Sequence, residues 1–197
     1  MTRDELEELH YIVPITNVAS ILTHGILSHR RAARLQHESV AMPEIQDRRR
    51  SVVVPPGRPL HEYANLYICA RNPMLYKRRG HHNALTVLRI NTDVLDIAGA
   101  VIADSNASSG YARFSPSPGG LALVDLTLVF ATYWTHPEDE IAEWRHKAAK
   151  CAELLIPDCV PPKHITGAYV SCEEARDALA SAAPGIEITL NRRLFFL

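Results

Sequence analysis

The sequence predicts an α+β fold organised around a compact mixed sheet. Two observations carry that prediction: the apolar runs are short and strand-like, and too few helical stretches separate them for regular β-α-β alternation. A third is size. With 197 residues, 47% hydrophobic and 22% charged, the chain suits one well-buried domain spanning 1–197 and would be cramped as two. No internal repeat, low-complexity segment or linker interrupts it.

Leu9 to Val13 reads as a strand closed by Pro14, whose missing N–H ends a ladder. Thr16 or Asn17 then caps a helix carrying Val18, Ile21 and Leu22, which stops near Gly25. Residues 28–61 are polar, basic and proline-rich after Val54. They predict a long excursion with a helix near 43–50, and long excursions in compact domains tend to carry function. Leu66 to Ala70, Ala84 to Ile90 and Ala100 to Ala103 are apolar enough for buried strands, with a polar turn from Asp104 to Gly110. A short apolar element lies between Leu126 and Tyr133, and the polar stretch 137–150 can hold a helix leading into an apolar strand that opens at Glu153. Gly167 to Ser171 is a further strand, Cys172 to Leu179 a helix, and the alternating Ile186 to Leu190 an edge or half-buried strand.

No run of eighteen apolar residues is present, so no membrane span or membrane partner is expected. The acidic start, Met1 to Glu8, lacks an apolar signal core, which points to a cytoplasmic protein. The four cysteines (Cys69, Cys151, Cys159 and Cys172) form no Cys-x-x-Cys pair and read as reduced thiols, with no metal expected. The net charge of −1 hides an uneven distribution: Ser28 to Arg89 holds 12 basic and 4 acidic residues. Arg30-Arg31, Arg48-Arg49-Arg50 and Lys77-Arg78-Arg79 can form one basic face for the phosphates of a nucleic acid or a dinucleotide, although any single block reads equally well as solvated surface charge.

Common catalytic motifs are missing: there is no Gly-x-Gly-x-x-Gly, no P-loop, no His-Glu-x-x-His and no Gly-x-Ser-x-Gly. What remains is a set of polar residues at the ends of apolar elements: His10, Asn17, Arg49, Tyr67 and Glu153. A carboxylate at the mouth of a core strand is costly to bury unless paired, so Glu153 divides evenly between a cleft residue and a solvated strand edge. Singly, His10 reads as a satisfied core histidine, Tyr67 as a packing aromatic and Arg49 as one of three solvated arginines.

Four ordered blocks resemble the DarT family of bacterial DNA ADP-ribosyltransferase toxins. They are Leu9-His10-Tyr11-Ile12-Val13-Pro14 with its helix through Leu22, Ile45-Gln46-Asp47-Arg48-Arg49-Arg50 with the valines after it, His61-Glu62-Tyr63-Ala64-Asn65-Leu66-Tyr67-Ile68-Cys69-Ala70-Arg71-Asn72-Pro73-Met74-Leu75-Tyr76, and Lys150-Cys151-Ala152-Glu153-Leu154-Leu155-Ile156. The turn from Asp104 to Phe114 is similar to the family as well, so the resemblance runs from His10 to Ser171. Single blocks are weak signals, and their order is what makes the match specific.

The resemblance implies an ADP-ribosyltransferase-like split mixed β-sheet with flanking helices and a long basic loop and helix excursion, holding NAD as substrate and no metal. It implies Glu153 as the catalytic acid. Arg49 is the best match for the catalytic arginine, with Arg48 and Arg50 left open by one position. His10, Ile12, Asn17, Leu22, Arg49, Tyr67, Met74 and Leu75 would contact NAD. Lys77, Arg78, Arg79, His81, Asn106, Tyr111 and Lys150 would hold single-stranded DNA, and residues 134–150 would form the loop that meets the acceptor. Thymine is slightly favoured over guanine as the target, because the Asn106 turn resembles that branch. The resemblance also implies a macrodomain antitoxin (DarG-like) as partner. One departure stands out: Ile12-Val13-Pro14 replaces a Thr-His type pair, so one NAD contact is lost or comes from backbone. The same chemistry on RNA or protein, and a catalytically silent NAD- or nucleic-acid-binding module, are the alternatives.

Overall fold

In the computed structural model, which describes residues 1–39 and 42–197, β1 (Leu9–Pro14) turns directly into α1 (Val18–His24). Positions 40 and 41 of the predicted excursion lie outside the described residues. Gly25 ends α1 at φ 83°, where a Cβ would stand 2.4 Å from the Val160 carbonyl oxygen, so glycine is required for the chain to enter β2 (Ile26–Leu27). The excursion then folds as α2 (His29–Ala32), α3 (Pro43–Arg50) and a hairpin of β3 (Val53–Val54) and β4 (Arg58–Pro59). After β5 (Tyr63–Tyr67), the buried Asn72 side chain accepts from Met74 N and Leu75 N and starts α4 (Pro73–Lys77). The rest runs β6 (Leu85–Ile90), β7 (Val101–Ala103), β8 (Phe114–Pro116), α5 (Leu126–Phe130) and α6 (Glu140–Ala149). It closes with β9 (Glu153–Pro157), β10 (Cys159–Val160), β11 (Ile165–Val170), α7 (Glu173–Ala182) and β12 (Ile188–Leu190).

Eight strands form one mixed sheet in the order β12-β11-β6-β1-β5-β9-β7-β8, antiparallel except for β11 with β12. Its two halves are joined weakly. β1 pairs with β6 along its whole length, but meets β5 only at His10 opposite Tyr67. Continuing that antiparallel register would set Ile12 opposite Asn65 and Pro14 opposite Tyr63. Those residues are not paired, and all four line a cavity. Pro14 helps cause the split, because it has no N–H to offer a neighbour. The sheet therefore opens along strands whose backbone groups are free for a ligand.

The largest apolar core packs α1 and α7 against one face of the sheet through Val18, Ile21, Ala175 and Leu179. On the other face, Ile12, Leu75, Val87 and Phe195 form one cluster, and Val54, Leu60, Tyr63, Val101 and Leu155 form another. Among the described residues no helix is long and apolar enough to cross a membrane. The predicted strand at 66–70 starts earlier, at Tyr63, and leaves the sheet after Tyr67. Ile68 to Ala70 are apolar because they are buried against the core, not because they continue the ladder.

Beside the split, Glu8 accepts from Arg89 Nε at 2.8 Å and the Tyr169 hydroxyl at 2.8 Å, with His10 Nε2 at 3.3 Å. Burial works to raise the Glu8 pKa, but the His10, Arg89 and Tyr169 hydrogen bonds outweigh it and hold the carboxyl at about 2. A depressed acid contributes stability above its ordinary value of 4.5, and that contribution disappears as pH falls towards 2. Glu8→Gln should accordingly be less stable than the wild type at pH 7, with the gap closing on acidification through this window. Urea midpoints measured against pH check this; a gap that stays constant with pH would contradict it.

Candidate active site

Glu153 stands first in β9, between Tyr67 of β5 and Ala103 of β7, and is 1% exposed. A carboxylate so placed must be neutralised. Arg49 does this from the last turn of α3. Its Nη1 donates to Oε1 at 3.0 Å and to Oε2 at 3.3 Å, and its Nη2 to Oε2 at 3.2 Å. The Ala107 N–H, from the turn between β7 and β8, adds a bond to Oε1 at 2.8 Å. Burial pulls the Arg49 guanidinium down, but the Glu153 charge and hydrogen bonds reverse this and its pKa is raised, so Arg49 remains a cation. Its neighbours in sequence, Arg48 and Arg50, are exposed.

Behind the pair lie groups that hold their protons. The Tyr67 hydroxyl is raised well above its usual value by burial and then by the Glu153 charge. Burial pushes the Cys151 thiol up to about 12, which makes it a poor nucleophile.

Arg49 forms part of the wall of a cavity of about 690 Å³ in the sheet split, a volume in the usual range for small-molecule sites. α1 presents Ser20, Ile21 and His24 to it, and Asn17, at the cap of the helix, continues the stripe at helical spacing. α3 contributes Ile45, Gln46, Arg48 and Arg49, and the turn after β7 contributes Asn106, Ser108, Ser109 and Gly110. The excursion closes over the top: the Asn17 Nδ2 donates to Glu38 O at 2.7 Å, and Asn17 Oδ1 accepts from Glu38 N at 3.1 Å. His29 and His61 lie tilted against each other on the wall with centroids 4.2 Å apart. Each has its pKa lowered by burial first, then by a neighbouring histidine (His37 for His29, His29 for His61) and by Arg49 and Arg50. Among the described residues the cavity wall carries Arg48, Arg49, Lys77 and Lys147 against the acid Glu38. Arg49 and Lys147 are paired with Glu153 and Glu143, which leaves Arg48 and Lys77 as the cations for an anionic ligand. No group of His, Cys, Asp and Glu among the described residues is arranged to hold a metal ion.

The structure brings Ile12, Asn17, Arg49, Tyr67, Met74, Lys77 and Asn106 together on this wall, but several other residues singled out from the sequence lie elsewhere. Lys150 is the clearest correction. It is 1% exposed, and its ammonium donates to Val129 O at 2.7 Å and Ala131 O at 2.9 Å, so it holds the end of α5 and cannot meet DNA. Leu22 packs on the main core and does not line the cavity, whereas Ile21, one residue earlier, does both. Leu75 packs beneath the wall with Ile12 and Val87. The His10 ring turns to Glu8 and Tyr169, so only its backbone stands at the split. His81 and Tyr111 are exposed and outside the cavities, while Arg78 caps α4 through its backbone and Arg79 lies over the Tyr76 ring at 4.1 Å. Sequence reasoning missed the Ala107 N–H, which no side chain signals, and Gln46, which shares the cavity face of α3 with Arg49.

The charge expectation is also refined. Arg30 pairs with Glu62, Arg58 with Asp158, and Arg89 with Glu8 and Glu187, so the basic excess does not form one continuous face. Of the other basic residues in this stretch, Arg48, Arg49 and Lys77 line the cavity, whereas Arg31, Arg34, Arg78 and Arg79 do not.

The sheet matches Thermus sp. 2.9 DarT, solved in complex with ADP-ribosylated ssDNA, with a TM-score of 0.84 at 24% identity over 98% of each chain; the same protein solved with NAD+ gives 0.78 at 23% identity over 96% of this chain and 98% of that one. The fold is therefore that of an ADP-ribosyltransferase of this type. In sequence, the chain is 32% identical over 172 residues to a DNA ADP-ribosyl transferase of Thermus sp. (strain 2.9), covering 81% of this chain and 79% of the relative. It is 31% identical over 184 residues to a DNA ADP-ribosyl transferase–DNA ADP-ribosyl glycohydrolase fusion protein of Thermosipho africanus (strain H17ap60334), covering 89% of this chain but 45% of the fusion. The family model described as DarT, ssDNA thymidine ADP-ribosyltransferase, matches residues 10–194, and the chain belongs to the DarT family.

Proposed function

We propose that this chain transfers ADP-ribose from NAD to thymine in single-stranded DNA and releases nicotinamide, with residues 1–197 acting as one transferase domain. The observation that carries the reading is the buried Arg49–Glu153 pair beside a nucleotide-sized electropositive cavity. The family's description as ssDNA thymidine transferases supplies the acceptor.

The reaction breaks the bond between ribose C1′ and the nicotinamide nitrogen, leaving positive charge on the sugar. The Glu153 carboxylate stabilises that charge, an effect strengthened by its exclusion from water. Thymine in DNA has one ring N–H; as its nitrogen bonds to C1′, the proton must leave. Glu153 is the acceptor for it, since Arg49 is held protonated. Both carboxylate oxygens are already engaged by Arg49 and Ala107, so ribose hydroxyls or the departing proton reach Glu153 only as an Arg49 N–H lets go. The released guanidinium then faces the diphosphate or a base carbonyl, both of which suit its planar fork. Tyr67 and Met74 wall the sugar, the unpaired edge at Ile12 offers backbone groups to the nicotinamide end, and Asn17 holds the excursion closed through Glu38. Lys77 and Asn106 stand at the mouth for the DNA strand.

A partner that removes ADP-ribose from DNA, the macrodomain antitoxin implied by the sequence, is part of the proposal. Its support is the fusion of transferase and glycohydrolase in the Thermosipho relative. Nicotinamide release from NAD, followed with and without a thymidine-containing single strand, tests the reading. Release should require the DNA and should fail with a strand lacking thymine. Release driven equally by RNA or protein would move the acceptor to the alternative class, and no release with any acceptor would leave a silent binding module.

A further inference from the structure

A second hollow adjoins the first and shares Arg48, Pro73, Lys77 and Lys147 with it. Its centre is an aromatic cluster. Tyr76, Trp134 and Phe196 meet edge to face, with centroids 5.1 Å apart for Tyr76 and Phe196 and 5.8 Å apart for each of the other two pairs. Tyr133 and Trp144, at its rim, are 76% and 61% exposed, which leaves large apolar rings in water without a partner. Arg71 lies beneath. Its guanidinium stacks on Phe196 at 4.1 Å, and its Nε and Nη1 are buried with no hydrogen-bond partner. Among the described residues no acid lines this hollow, and Arg79 adds a further cation on its wall. Burial, and after it the charge of Arg193, lowers the Arg71 pKa.

We propose that this hollow is a subsite for the nucleotide next to the modified thymidine. Its phosphate is received at Arg71, and its base stacks on the exposed rings of Tyr133 and Trp144 at the rim of the aromatic cluster. The inference rests on the transfer of ADP-ribose to single-stranded DNA proposed above and adds where the flanking strand runs. Exposed aromatic faces beside arginine and lysine are the combination that single-stranded nucleic acid recognises, base by stacking and backbone by charge. The shared wall places such a nucleotide directly beside the cavity that holds Arg49. Trp134 and Trp144 come from the segment expected to meet the acceptor, whereas Arg71 and Phe196 give it a floor from elsewhere in the chain.

The test uses the whole chain, a labelled thymidine-containing single-stranded oligonucleotide and fluorescence anisotropy. Arg71→Gln and Trp144→Ala should each weaken binding about tenfold, while the affinity for NAD is unchanged. Arg71→Gln should also flatten the salt dependence of binding by about one phosphate contact. Wild-type affinity in both variants, equal losses for NAD and DNA, or no oligonucleotide binding by the wild type would overturn the subsite. Trp144 is exposed, so its variant decides the matter even if Arg71→Gln fails to fold. ADP-ribose on the oligonucleotide is read separately by mass. A strand that binds through Arg71 and Trp144 but gains no mass would remove the transfer reading and leave the subsite standing.

Discussion

Glu153→Gln is expected to abolish measurable transfer, lowering kcat by about 10²–10³-fold or more, the usual cost of removing a preorganised electrostatic contact at developing charge. The reason lies in the pair. Gln keeps the shape and one carbonyl for the Ala107 N–H, but it carries no charge to stabilise the sugar cation and takes no proton. The same substitution leaves Arg49 buried without its counter-charge, and breaking a buried pair costs about 3–5 kcal/mol of stability. Activity is therefore to be compared below the lowered melting temperature, with NAD binding as a check on the fold. Glu153→Ala is a poorer instrument, since it removes the hydrogen-bonding partner as well. Expression in a bacterial host extends the test: wild type should arrest growth and Glu153→Gln should not. Growth arrest that survives the substitution would separate toxicity from this carboxylate.

Arg49→Lys should lose at least about tenfold in kcat/KM although the charge is retained. The three N–H contacts to Glu153 come from a planar fork, and an ammonium on a different stem does not reproduce them. Arg50→Ala is the matched control. Arg50 is exposed and pairs with Asp47 at 3.5 Å on the outer side of α3, so its loss should leave turnover near wild type. Steady-state rates for the two variants decide which arginine of the run works with Glu153. Equal losses at positions 49 and 50 would contradict the assignment.

The sequence by itself left Glu153 evenly divided between a cleft and a strand edge and read Arg49 as a solvated arginine. The resemblance to the DarT family decided for Glu153 and for Arg49, four residues after Ile45. The structure places Ile45 and Arg49 on the same cavity wall, as that spacing requires. The strand-rich class was legible from short apolar runs, and the split was implied only by resemblance. A phase error accounts for His10: one residue of strand turns a side chain to another face. Lys150 misled for a different reason. Lysine is ordinarily exposed, and nothing in its neighbours shows that the end of α5 presents two carbonyls for it to satisfy. The second hollow was legible only in the 134–150 segment expected to meet the acceptor; Arg71 and Phe196 lie far from it in the chain and no spacing links them.

The central claim is that this chain moves ADP-ribose from NAD onto thymine through Glu153. Its most direct test is the intact mass of a single-stranded oligonucleotide with one thymidine after incubation with NAD and the protein. The strand should gain the mass of one ADP-ribose with the wild type and none with Glu153→Gln, and a strand without thymine should gain none. An unchanged mass with the wild type, or an equal gain on the strand without thymine, would contradict it.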